Sequence, residues 1–244
     1  MIFLFKPRVI NVDLLTSHAM AYNHAPIKEA SAFYPAWWKA LPKDQKVSTG
    51  GQNSVNVPAA NMRSCAGFVD LYRFGFILPL WADIAVTVKA NGQYGWLCVD
   101  EDTKGRAHPP QQAGSLFQDA RVGSMKVQSP WLASTKESVY WHLSNPSWNQ
   151  KVQTDWLVPP ANVDFSKSEA TELQMLLRNA HIPRDFVIPF ATPMVHYLPL
   201  DSRPIKLHLH LISEDEYAQR KRGHNMVSFV QSYYKKLKGN HEGT

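Results

Sequence analysis

The strongest constraint on this chain is how often it interrupts itself. Short runs that alternate apolar and polar residues are cut off every few positions by proline or by tight-turn residues, and 17 prolines stand against 12 glycines in 244 residues. Proline fixes φ and lacks an N–H, so it ends helices and is confined to strand edges and turns. A chain punctuated in this way cannot be built of long helices. "IAVTVKA" and "YGWLCVD" flank "NGQ", a hairpin signal. "FLFKPRVINVDLLT" reads as an opening strand. "MKVQSPWLAS" and "SVYWHLSNP" read as a strand pair around "STKE", and "VQTDWLVPPANVDF" adds one more strand. "DFVIPFATPMVHYLPL" and "PIKLHLHLIS" are strands separated by "DSRP". "FVDLYRFGFILPLWADI" is also read as strand, and "SEATELQMLLRNA" as a short helix on the spacing of Leu173, Leu176 and Leu177.

Two further segments are read differently. "SAFYPAWWKALPKD" holds a turn or two of helix between Pro35 and Pro42. Its adjacent Trp37 and Trp38 point about 100° apart, one inward and one over a seam. A sugar-stacking platform is the alternative use for the pair. Residues 43–60 are polar and rich in Gly, Ser and Asn, the pattern of a loop. From Ser213, "SEDEYAQRKR" has a serine cap, acidic residues in its first turn and basic ones later, as a helix start should. "MVSFVQSYYKKLKG" reads as a second helix or a continuation.

The expected fold is therefore mainly β: an antiparallel β-sandwich, or a jelly roll (double-stranded β-helix), with C-terminal helices. Residues 1–244 are read as a single β-rich domain. Residues 1–60 form an N-terminal extension with the Trp37/Trp38 plug and the polar loop, and 213–244 form a helical tail.

Composition narrows the function classes. Hydrophobic residues make up 44% of the chain and charged ones 19%, a globular balance. No apolar window is long enough to span a bilayer, so no membrane is expected. The N-terminal "MIFLF" meets Lys6, Pro7 and Arg8, which is too short for a signal segment and has its charges on the wrong side. Cys65 and Cys98 form no paired motif; both sit in apolar stretches and are read as small buried hydrophobes in a reducing compartment. The formal charge of +6 is concentrated late, with six Lys/Arg within residues 219–240. A solvated tail accounts for that cluster, and no nucleic-acid-binding motif accompanies it.

The chemistry-bearing candidate is "LHLHLISE", which holds His208, His210 and Glu214, with His196 one strand earlier. On a strand, His208 and His210 lie side by side on one face, where two imidazoles and a carboxylate could share a divalent transition metal. The array resembles the first metal motif of cupins. It lacks the flanking glycines, stands near the C-terminus, and has no second histidine motif, so His196 would have to complete the set. The other reading is a wet polar face. Ile205, Leu207, Leu209 and Leu211 share one side, while Lys206 shares the other with both histidines, and its cation would repel a metal. That reading expects no cofactor. No GxSxG, Walker A or GxGxxG pattern is present. "AHPPQQ" (His108, Gln111, Gln112) reads as a loop.

"YPAWWKALPK", "MRSCAGFVDLYRFGFILPLWADI", "VQSPWL", "VIPFATPMVHYLPL" and "KLHLHLISEDE" together resemble a family of uncharacterised proteins encoded by tailed phages, especially myophages of marine cyanobacteria and related marine bacteria. They span residues 30 to 216. Members commonly read "IPAGTPLAH" where this chain has "IPFATPMVH", so Ala191 replaces the glycine suited to a left-handed turn. The resemblance implies phage origin and a β-sandwich or double-stranded β-helix. It implies a place in the host cytoplasm during infection or in the virion, with second copies or other phage proteins as partners. It carries no catalytic residues. Two functions follow: a non-catalytic β-rich protein, or a cupin-like metal-dependent enzyme using His196, His208, His210 and Glu214.

Overall fold

A computed structural model describes residues 9–43, 45–48, 56–99, 105–106, 122–149 and 155–222. In chain order the first strands and helices are β1 (Ile10–Thr16), α1 (Ala19–His24), β2 (Lys28–Glu29), α2 (Ala36–Lys39), β3 (Gln45–Ser48), β4 (Asn56–Ala59) and α3 (Ala66–Arg73). Next come β5 (Phe76–Pro79), β6 (Ile84–Val88), β7 (Tyr94–Cys98), β8 (Gly105–Arg106), β9 (Val122–Val127), β10 (Leu132–Ser134) and β11 (Tyr140–Ser144). The last strands are β12 (Trp156–Leu157), β13 (Ala161–Asp164), β14 (Leu173–Arg178), β15 (Arg184–Ile188), β16 (Pro193–Pro199) and β17 (Ile205–Leu211), followed by helical residues 214–222.

The protein is mainly β, with several antiparallel sheets and a C-terminal helix, consistent with a β-sandwich. The sheets run β10-β1-β17, β13-β11-β16-β5-β2, β12-β14-β9-β8, β15-β6-β7 and β3-β4. Among the described residues every strand pairing is antiparallel except one: β1 and β17 run parallel, with Ile10 opposite Ile205 and Thr16 opposite Leu211. β1, from the N-terminal extension, is the middle strand of its sheet.

Alternation explains the shared core. In β6, Ile84, Val86 and Val88 point in while Ala85 and Thr87 face out. In β14, Leu173, Met175 and Leu177 do the same. These rows join Ile10, Val12 and Leu14 of β1 and the fully buried Trp131 and Trp141 in one cluster. Trp81 is 2% exposed and Trp96 packs partly buried against the same cluster. Phe76 stands among Trp141, Tyr197 and Phe165 at centroid distances of 5.1, 4.9 and 6.2 Å, so the centre of the core is aromatic.

Several expectations change. "SEATELQMLLRNA" holds strand β14, not a helix, because six residues pair with β9 from Leu173↔Val127 to Arg178↔Val122. Leu173, Leu176 and Leu177 fit a helical spacing, but Leu173, Met175 and Leu177 also fit a strand, and tertiary pairing decides. "AGFVDLYR" is helix α3, which buries Phe68 and Tyr72 one turn apart. β10 and β11 do not pair with each other: β10 joins β1, and β11 joins β13 and β16. β16 and β17 likewise enter different sheets. "VQTDWLVPPANVDF" gives two strands, β12 and β13. Within residues 43–60, β3 and β4 pair from Gln45↔Ala59 to Ser48↔Asn56, so the polar stretch contains a hairpin rather than loop alone. Cys65 is exposed at the start of α3, and only Cys98 packs against the core. The "NGQ" hairpin forms as read, with Gly92 at φ 78°. Ser213 caps the last helix, its Oγ accepting from the Glu216 N–H at 3.3 Å. "AHPPQQ" and "MVSFVQSYYKKLKG" lie outside the described residues.

Two left-handed residues show opposite solutions. Gly75 has φ +79°, and a Cβ there would stand 2.0 Å from the Tyr197 carbonyl oxygen. Ala191 has φ 62°, keeping the left-handed turn without glycine, and its N–H donates to the Leu80 carbonyl at 2.8 Å. Opposite responses are expected. Gly75→Ala adds backbone strain and a backbone clash and should cost roughly 2–5 kcal/mol. Ala191→Gly relieves strain, partly offset by a more flexible unfolded chain, and should gain roughly 0.5–1 kcal/mol. Urea unfolding midpoints of the two variants check both signs.

Candidate functional site

The parallel β1/β17 pair determines what the C-terminal histidines can do. In-facing Ile10, Val12 and Leu14 oppose Ile205, Leu207 and Leu209, which leaves Asn11, Asp13, Lys206, His208 and His210 on the outer face. His208 Nε2 lies 2.9 Å from Asn11 Oδ1, and His210 Nε2 lies 3.0 Å from Asp13 Oδ1. Each imidazole leans two residues back along β1, since the register partner of His208 is Asp13 and that of His210 is Leu15. The two side chains thus act as rungs between the strands, on a surface that is at least partly wet: His210 and Asp13 are 46% and 41% exposed.

The helix at 214–222 completes a shallow groove of about 320 Å³ beside these rungs, lined by Asp13, Ser134, His210, Ile212, Glu216 and Arg220. Arg220 Nε donates to Glu216 Oε1 at 3.3 Å, and His210 faces Asp13. Ser134, Asp13 and His210 bring together the three residue types of an acyl-transfer triad, but in the wrong order. Asp13 is opposite Ser134 on one side and β17 on the other, so the carboxylate stands between hydroxyl and imidazole. The imidazole of a triad must stand between the other two to take the hydroxyl proton.

The four candidate ligands do not converge. His196 sits on β16, in the sheet with β11 and β5, and is 2% exposed. Its Nε2 lies 2.9 Å from the Phe74 carbonyl, and its ring is 6.1 Å from that of Tyr72. Glu214 starts the helix, while the carboxylate that reaches the groove is Glu216. Among the described residues, no three His, Cys, Asp or Glu side chains gather as a metal set. Strand alternation made the His208/His210 pair legible. Their partners Asn11 and Asp13 lie at the other end of the chain, and nothing in the local sequence points to them.

The tryptophan plug is a seam. Trp38 stacks on Tyr34 at 4.4 Å, with the Arg63 guanidinium 5.5 Å from its centroid, and its Nε1–H donates to the Met62 carbonyl at 2.9 Å. Trp37, 41% exposed, covers Phe68 and Trp148, and its Nε1–H donates to the Trp148 carbonyl at 3.0 Å. Tyr72 hydroxyl bonds Asn149 Oδ1, and Asn149 Nδ2 donates to the Phe33 carbonyl at 2.6 Å. The seam therefore ties three distant chain segments together.

Burial holds the His196 imidazole below its ordinary range, against the opposing pull of the Phe74 carbonyl. The folded chain therefore keeps His196 neutral where the unfolded chain would protonate it. Its stabilising contribution is full above about pH 6.5 and is lost as pH falls below that value. The urea midpoint should drop between pH 7 and pH 5, a window above ordinary carboxylate titration. In His196→Gln, which can still donate to Phe74, the drop should be smaller. An identical drop in the variant would assign it to other histidines.

No family model, curated protein or solved structure matches the chain.

Proposed function

We propose that this chain is a non-catalytic β-rich protein of a tailed phage, serving in the virion, in its assembly or in the infected cell. The observation that carries the reading is the separation of the histidine set. His196 is buried under Tyr72 in one sheet, and His208 and His210 bridge to β1 in another. A cupin-like centre needs these rings to converge on one point, and here each is engaged in holding elements together.

The stretches that carry the phage resemblance support the same reading, because they coincide with framework. "YPAWWKALPK" contributes Trp37 and Trp38 to the aromatic seam, and "MRSCAGFVDLYRFGFILPLWADI" contributes α3 and β5. "VIPFATPMVHYLPL" supplies β16 and the strained Ala191 turn, and "KLHLHLISEDE" supplies β17 and the helix cap. No helix among the described residues is long and apolar enough to cross a membrane.

Elemental analysis of protein purified without chelator tests this reading, with no stoichiometric transition metal expected. One metal per chain, lost in the His208→Ala/His210→Ala double variant, would overturn it in favour of the metal-dependent enzyme. Mass spectrometry of purified particles then separates a virion protein from one confined to the infected cell.

A further inference from the structure

Strand β17 is the last strand of its sheet, and β1 is its strand partner among the described residues. Two bonds fix the direction in which its backbone points. Ile10 N–H donates to the Pro204 carbonyl and Ile212 N–H donates to the Thr16 carbonyl, both at 2.9 Å. Along a strand, successive residues direct their N–H and C=O to opposite sides. Even-numbered residues from 204 to 212 therefore face β1. Ile205, Leu207, Leu209 and Leu211 direct their N–H and C=O groups outward, where no described residue receives them. The side chains agree: Ile10, Val12 and Leu14 are wholly buried, the opposing Ile205, Leu207 and Leu209 only partly, and Leu211 is 50% exposed. Seven residues without proline or bulge make a ready template for another strand.

We propose that this edge is completed by the same edge of a second copy, antiparallel about a two-fold axis through His208. An antiparallel strand bonds only where outward-facing residues stand opposite one another. With the axis at His208, Ile205 faces Leu211 of the partner and Leu207 faces its Leu209, and symmetry repeats both pairs. All four outward residues are then satisfied, with two bonds per pair. Moving the axis to Leu207 or Leu209 leaves one of the four unpaired. The apolar row continues across the axis and covers Leu211. Charge also favours the antiparallel sense. Lys206 stands near the start of β17, and Glu214 and Asp215 follow its end, so each Lys206 lies toward the partner's acidic end. The result is a continuous sheet through two copies of β10-β1-β17. This inference stands on backbone geometry and holds whether or not the non-catalytic reading does.

The axis makes a sharp test. His208 stands opposite its own copy in a non-hydrogen-bonded pair, where Cα atoms are about 4.5 Å apart, within the disulfide range of about 4.4–6.8 Å. Lys206 faces His210 of the partner copy and lies about four residues, roughly 13 Å, from its own counterpart. In a Cys65→Ser/Cys98→Ala background, His208→Cys should oxidise to a covalent dimer, and Lys206→Cys should not. Both changes lie on the polar outer face, away from the core. Light scattering of the unmodified chain should give twice 27.7 kDa. A monomeric mass across the accessible concentrations would overturn the proposal, the edge then being bare or covered by flanking residues of the same chain. A dimer in which His208→Cys fails to cross-link, or Lys206→Cys cross-links equally, would overturn it in favour of another interface.

Discussion

The parallel pairing of β1 with β17 is the contact on which the rest of this structure depends. It joins Ile10 to Ile205 and Thr16 to Leu211, nearly the full described length apart in sequence. Closing so long a loop carries an entropic cost, and such non-local contacts slow folding. The burial it achieves offsets that cost. Ile10, Val12 and Leu14 become wholly inaccessible, and burying a large aliphatic side chain is worth roughly 1.5–3 kcal/mol. The same pairing places Asn11 and Asp13 under His208 and His210, and it positions the last helix against the outer face. The candidate site is thus a consequence of how the sandwich closes.

The aromatic centre behind that pairing comes with an internal opposing term. The Nε1 of Trp131, the Nε1 of Trp141 and the hydroxyl of Tyr197 are buried without a hydrogen-bond partner among the described residues. Each such group costs on the order of 1–3 kcal/mol. The rings around Phe76 and Phe165 recover this through buried area and ring packing, and Tyr197 and Trp141 contribute to both sides of that balance. Arg203 forks between Asp201 and Glu137, and Thr171 donates to the Trp131 carbonyl at 2.6 Å.

Much of the strand content was legible because alternation is a local signal. The 84–98 hairpin and the strand containing His208 and His210 follow from period-two patterning and turn residues. Partner choice was not legible. Adjacent strands such as β10 and β11, or β16 and β17, look like hairpins in sequence and separate into different sheets in space. α3 was hidden because a Phe68–Tyr72 spacing within an aromatic-rich run also suits a strand. β14 was hidden because its residue types favour helix while its burial follows a strand. At the site, the sequence revealed the side-by-side histidines and the significance of Lys206. It could not show that Asn11 and Asp13 receive the two rings, or that His196 is turned into another core. Ala191 shows a further limit: absence of glycine does not exclude a left-handed turn when the surrounding bonds hold it.

Amide hydrogen exchange on the intact chain tests this closure most directly. Val12, Leu14 and Thr16 on β1, with Lys206, His208 and His210 on β17, donate their N–H groups across the parallel ladder. If the pairing holds the sandwich closed, these six amides exchange together and only by global unfolding, among the slowest in the protein. If the β17 amides exchange at the rate of unstructured peptide while the rest of the core stays protected, the two ends of the chain are not paired and the account fails.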